Sequence, residues 1–236
     1  MAETPRYAHL IALLFLGSGF VIFVCLLVAV VAALRKAGKV AKFAASGAAL
    51  TALGYALVLF GIALATSNKT LPPGDWKYFC ESDCHIAYAI GSMQEAAMLG
   101  VQTKHITARG RFVVVRLKTW FDENSISPSR GNFPLTPDSR IVKLIDDRGR
   151  QYLPAPEASA VLPGASAPLN TPLRPGESYL TTFVFDVPAD ARNPRLLISD
   201  ADLVTRLLVD HENSPLHGKI YLALNPSASA TVSDLQ

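Results

Sequence analysis

Apolar and polar positions follow two different rules along this chain. Leu10–Leu34 and Phe43–Thr66 are unbroken runs of apolar and small residues with no Asp, Glu, Lys, Arg or His. From Trp76 onward, apolar residues alternate with polar ones over short stretches between turn residues. The first rule predicts two long helices, because a hydrocarbon core of about 30 Å takes roughly 20 helical residues at 1.5 Å each. Backbone groups in lipid must be satisfied within the segment, so helix is the only conformation open to such a run. The second rule predicts β-structure.

The expected strands are His85–Ile90, Gly110–Phe121, Ile141–Ile145, Gln151–Leu153, Ser178–Val187, Arg195–Ser199, Leu203–Val209 and Lys219–Leu224. Asp146-Asp147-Arg148-Gly149 reads as a hairpin turn and Pro175-Gly176 as a second turn. Gln94–Leu99 has room for one or two helical turns at most. The predicted fold class is therefore two transmembrane helices followed by an all-β antiparallel sandwich. In domain terms, residues 1–9 form a short tail and 10–66 a helical hairpin with its tip at 35–42. Residues 67–75 form a polar linker, 76–224 the β-domain and 225–236 a loose tail.

Charge sets the expected orientation. The tip holds Arg35, Lys36, Lys39 and Lys42 and no acid. Short Lys/Arg-rich loops stay cytoplasmic, which places both termini and the β-domain outside. In a bacterium that is an inner-membrane protein with a periplasmic domain. The first run is too long for a signal-peptide core, and its cations follow it instead of preceding it. The net charge is only +3, and no basic run interleaves with aromatics, so nucleic acid is not an expected partner. Neither span holds an ionisable residue of the kind that ion paths use. Gly47, Gly54 and Gly61 recur every seven residues, with Thr51 and Val58 near the same stripe. Such spacing allows close helix packing, against the first helix or against a partner.

Gly110–Leu117, Leu144–Tyr152, Leu173–Glu177 and Phe183–Pro188 occur in the order and spacing of strands and turns that resembles the immunoglobulin-like domain of bacterial lipoproteins and secreted proteins, the mycobacterial secreted antigen with that fold among them. The resemblance covers Ile86 to Leu224 and implies a binding or scaffolding role, with no catalytic residues carried across. The paired helices and the Cys-containing opening are additions to that pattern. Two long proline-containing loops, Asp122–Ser139 and Pro154–Gly176, are either partner contacts or solvated decoration.

Candidate chemistry is concentrated in Cys80-Glu81-Ser82-Asp83-Cys84-His85. In an oxidising compartment Cys80 and Cys84 are expected to form a disulfide. The alternative is a copper or zinc site built from Cys80, Cys84 and His85, completed by His105, His211 or His217. Cys-x3-Cys partly resembles the dinuclear copper motif of oxidase subunits, but Tyr88 stands where that motif wants His. His211 and His217 are six apart with Pro215 between them, which does not match the metalloprotease spacing. No nucleophile elbow, phosphate-cradling glycine loop or dinucleotide fingerprint occurs.

Two functions follow as expectations. One is a non-catalytic accessory subunit in a larger membrane complex, respiratory or photosynthetic for example, contacting other integral membrane proteins through the hairpin and the loops. The other is a membrane-tethered copper, zinc or redox protein.

Overall fold

A computed structural model describes residues 8–79, 85–101, 104–127, 129–162, 164 and 166–224. It divides into two compact units. One comprises the two helices through Ser67 together with Asp202–Lys219, and the other comprises Asn68–Ala201 with the chain from Ile220 onward.

In the helical unit, α1 is Ala8–Leu34 and α2 is Gly38–Ala65. Both are long and apolar enough to cross a bilayer. The less exposed residues of α1 are Ile11, Phe15, Ser18, Ile22, Cys25, Ala29 and Ala32, alternating by four and three. That 3.5-residue repeat is the seam of two helices packed side by side. On α2 the matching face carries Ala44, Ala48, Leu59 and Ala63, all buried. The connection is tight. Ala37 N–H donates to the Ala32 carbonyl at 2.8 Å and Lys36 N–H to that of Ala33 at 3.0 Å. Lys36 takes the left-handed conformation at φ 62° that this helix stop requires.

The β unit contains two sheets. One runs β1(Lys69–Leu71), β9(Ile220–Ala223), β8(Arg195–Asp200), β5(Arg140–Ile145), β6(Gln151–Tyr152). The other runs β2(Lys77–Tyr78), β3(Ile86–Val101), β4(Lys104–Phe121), β7(Ser178–Val187). All pairings are antiparallel except β1 with β9. Tyr88, Val113, Leu117, Phe121 and Phe185 of one sheet share a core with Val142, Leu144, Leu196, Ile198 and Leu222 of the other.

The opposite face of β4 and β7 is also covered. Phe112, Val114 and Val184 pack with Leu99 and Ala158 in a second cluster. This explains why Phe112-Val113-Val114-Val115 is a continuous apolar run: successive side chains point to opposite faces, and both faces are buried.

Several expectations are corrected. Gln94–Leu99 is not helical; it lies inside β3, which runs for 16 residues. Register shifts at Ile90/Ser92 and Ala96/Met98 disrupt the alternation that would have revealed it. Leu203–Val209 is not a strand, because Val204–Leu207 forms a 3-10 turn. The polar stretch 67–75 contains strand β1. Pro154–Gly176 includes a short helix, α3(Pro156–Ser159), and lies along edge strand β7. Ala155 N–H donates to the Val184 carbonyl at 2.7 Å, and the Thr181 hydroxyl donates to the Ala167 carbonyl at 2.9 Å. The segment thereby shields an edge strand that would otherwise offer unpaired backbone.

Candidate functional site

The hairpin surface separates the sequence-predicted glycine stripe into two parts. Gly47 lies within the helix pair: a Cβ there would meet Cys25 Sγ at 3.5 Å. Thr51 is half-buried and its hydroxyl donates to the Gly47 carbonyl at 2.9 Å. Among the described residues, a Cβ at Gly54 or Gly61 would meet no atom within 4 Å, and Val58 is exposed. The close approach between α1 and α2 therefore uses Ala44, Gly47 and Ala48, while Gly54, Val58 and Gly61 present an open apolar strip.

Cys80 and Cys84 lie outside the described residues. The elements flanking them are firmly built. Lys77 is buried and donates from Nζ to the Ile198 carbonyl at 2.7 Å and the Ile220 carbonyl at 2.9 Å, tying β2 across to β8 and β9. Phe79 lies edge-on to Tyr88 and under the guanidinium of Arg140, 4.0 Å from its ring centre. Burial pushes the Tyr88 phenol up to about 12, against the opposing pull of the Arg140 cation. Burial, reinforced by a hydrogen bond to Asp122, likewise raises Tyr78 to about 12. Neither phenol ionises at neutral pH.

His85 stacks on Phe121 with ring centres 5.6 Å apart, and its Nδ1 lies 2.7 Å from the Ser125 hydroxyl. His211 Nδ1 accepts the Asn213 N–H at 2.9 Å. His217 Nδ1 lies 2.7 Å from the Gly218 carbonyl, and its Nε2 is 3.4 Å from Asp210 Oδ1. Nearby, burial lowers the Lys219 ammonium, which donates to the Glu212 carbonyl. Among the described residues, no group of three or more His, Cys, Asp or Glu is placed to hold a metal ion.

Two polar features are not evident from the sequence. Asp146 is the centre of the β5–β6 turn. It accepts from Arg148 N–H, Arg150 N–H, Arg150 Nε and the Tyr152 hydroxyl. Its burial favours the neutral acid, yet these donors together, Arg150 foremost, hold the carboxyl down at about 2. The repeated Asp and Arg in Asp146–Arg150 were the available signal, but a sequence does not show which carboxylate turns inward. The second feature is an open groove of about 620 Å³ whose lining includes Gly91, Arg116, Lys118, Tyr179 and Leu180. Lys118 is drawn over the Trp76 ring, 5.7 Å from its centre.

No protein-family model matches the chain, and neither curated proteins nor solved structures provide a match.

Proposed function

We propose that this chain is a membrane-anchored accessory subunit. In this reading α1 and α2 span the bilayer, and the two-sheet domain is an immunoglobulin-like sandwich on the periplasmic side of a bacterial inner membrane. The role is non-catalytic: the hairpin docks into a larger membrane assembly, and the β-domain braces its outer face.

The observation that carries this reading is the open strip at Gly54, Val58 and Gly61. α2 buries Ala44, Ala48, Leu59 and Ala63 and brings Gly47 against Cys25, whereas no described residue lies against the glycines at 54 and 61. A glycine costs a helix roughly 1 kcal/mol relative to alanine. Small residues in lipid return that cost when another helix approaches closely. The β-domain adds a rigid body, with Lys77 and Asp146 both committed to structural hydrogen bonds.

The test is purification of the tagged full-length chain from native membranes in mild detergent, followed by native electrophoresis. Other integral membrane proteins should co-migrate with it. A stable monomer that never co-purifies with another protein overturns the proposal.

A further inference from the structure

Asp202–Lys219 buries uncharged polar side chains and exposes several large apolar ones, with Asp202, Arg206 and Asp210 exposed beside them. Thr205 and Ser214 are 3% and 1% exposed, whereas Leu203, Val204, Leu207 and Leu216 are between 48% and 66% exposed. The polar groups serve the interior of the segment. Thr205 donates to the Asp202 carbonyl, Asn213 Nδ2 donates to Thr205 Oγ1, and the Ser214 hydroxyl donates to the Leu208 carbonyl. Backbone donors are paired locally as well: Val204 N–H to Asp202 Oδ1, Arg206 N–H to the Leu203 carbonyl and Ser214 N–H to the His211 carbonyl. A segment that satisfies its own polar groups and shows leucines outward is suited to an apolar solvent, for the reason that makes spanning segments helical.

Its position specifies that solvent. The Tyr55 hydroxyl on α2 donates to the Leu207 carbonyl. At 1.5 Å per residue, Tyr55 is roughly 15 Å inside the end of α2 at Ala65. Higher up, Gly218 N–H donates to the Thr66 hydroxyl at 2.7 Å. The segment therefore runs alongside the last turns of α2, whose other faces show Leu57, Phe60 and Leu64 outward. Gly218 is the residue that permits this approach, since a Cβ there would lie 2.3 Å from the Ser67 carbonyl oxygen. Leu216 is exposed although its φ of 65° is one that leucine rarely adopts.

We infer that Leu203–Leu216 is a membrane-immersed element, held through Leu203, Val204, Leu207 and Leu216 in the lipid leaflet on the side of the β-domain. The inference rests on the reading of α2 as a bilayer-spanning helix. The occupant is lipid because the segment is hydrogen-bonded to a helix whose neighbouring faces meet lipid at the same depth. Arg206 lies exposed between the apolar residues.

Nitroxide labelling of the full-length chain tests this in phosphatidylcholine–phosphatidylglycerol vesicles. Single cysteines are placed by L203C, L207C and L216C in a C25A/C80S/C84S background, with L57C on α2 and L180C on β7 as references. Collision rates with oxygen and with a water-soluble nickel chelate are compared. The expected result is oxygen above nickel at positions 203, 207, 216 and 57, and nickel above oxygen at position 180. Nickel above oxygen at 203, 207 and 216 with position 57 still in lipid overturns the inference and leaves the spanning helix intact. Nickel above oxygen at position 57 overturns the spanning reading itself. Low collision with both reagents at 203, 207 and 216 means that protein covers the segment, which also overturns the inference.

Discussion

Arg140 Nη1 and Asp200 Oδ2 meet at 2.7 Å across the β5–β8 pair, with side chains 5% and 3% exposed. Removing one partner strands the other charge in the core, a loss of about 3–5 kcal/mol for buried pairs. D200N and R140M should each lower the unfolding temperature of the β-domain, measured on the full-length protein by circular dichroism. The double variant R140M/D200L should be more stable than either single one. A loss in the double variant equal to the sum of the two single losses would mean that the pair is not coupled.

Asp146 makes stability depend on acid. Its folded-state value near 2 lies below the ordinary aspartate value of 3.8. The stability it contributes is fully present above about pH 4, and it is lost as the pH falls through the folded value. Urea midpoints should therefore drop between about pH 4 and pH 2. D146N should be less stable at neutral pH and should show a flatter profile over that window. An unchanged acid limb in D146N would remove Asp146 as its source.

Gly110 and Gly54 should respond oppositely to added bulk. A Cβ at 110 would lie 2.4 Å from the Val187 carbonyl oxygen and 2.6 Å from Ala189 N, both backbone atoms. G110A should cost about 1–3 kcal/mol, as overpacking does. At Gly54 the space is open, so G54L should leave the melting temperature unchanged. If the strip at Gly54, Val58 and Gly61 docks a partner helix, the same variant should abolish co-purification.

The Tyr55 hydroxyl holds one end of the segment that returns to α2. Y55F should cost about 1 kcal/mol, the net value of a typical hydrogen bond. Hydrogen exchange should accelerate at residues 204–208 without spreading through β4 and β7. Uniform acceleration in both units would argue for a global effect instead.

Thiol counting addresses the cysteines. The chain has three. If Cys80 and Cys84 are joined, the denatured, unreduced protein should titrate one thiol, Cys25, and two more after reduction. Three thiols together with bound copper or zinc would favour the metal-binding alternative.

The legible parts of the chain were those where burial follows a simple period. Ser178–Val187 has the bounds expected from alternation, because β7 is straight and paired throughout with β4. The two helices were legible from uninterrupted apolarity. Elsewhere, local pattern and final environment diverge. In β3 the alanines, methionines and Gly91 carry little contrast, and two register shifts invert the phase. Leu203-Val204 and Leu207-Leu208 looked like strand residues because a short apolar run does not encode its period. Val204–Leu207 forms a 3-10 turn flanked by Leu203 and Leu208, and Leu203, Val204 and Leu207 are exposed. Arg140–Asp200 and Lys77 were illegible because their partners are distant in sequence, and Lys77 uses backbone carbonyls.

Strand β1 begins four residues after α2 ends at Ala65 and pairs in parallel with β9, Lys69 facing Ile220 and Leu71 facing Leu222. During synthesis the first strand to emerge must wait for the last. Its sheet edge stays incomplete until almost the whole described chain exists. Contacts of such sequence separation form slowly, and unfinished edges invite wrong pairings meanwhile. Attachment to α2 restricts the space that β1 searches during the delay. Chains cut before residue 220 should accumulate as incomplete sheets.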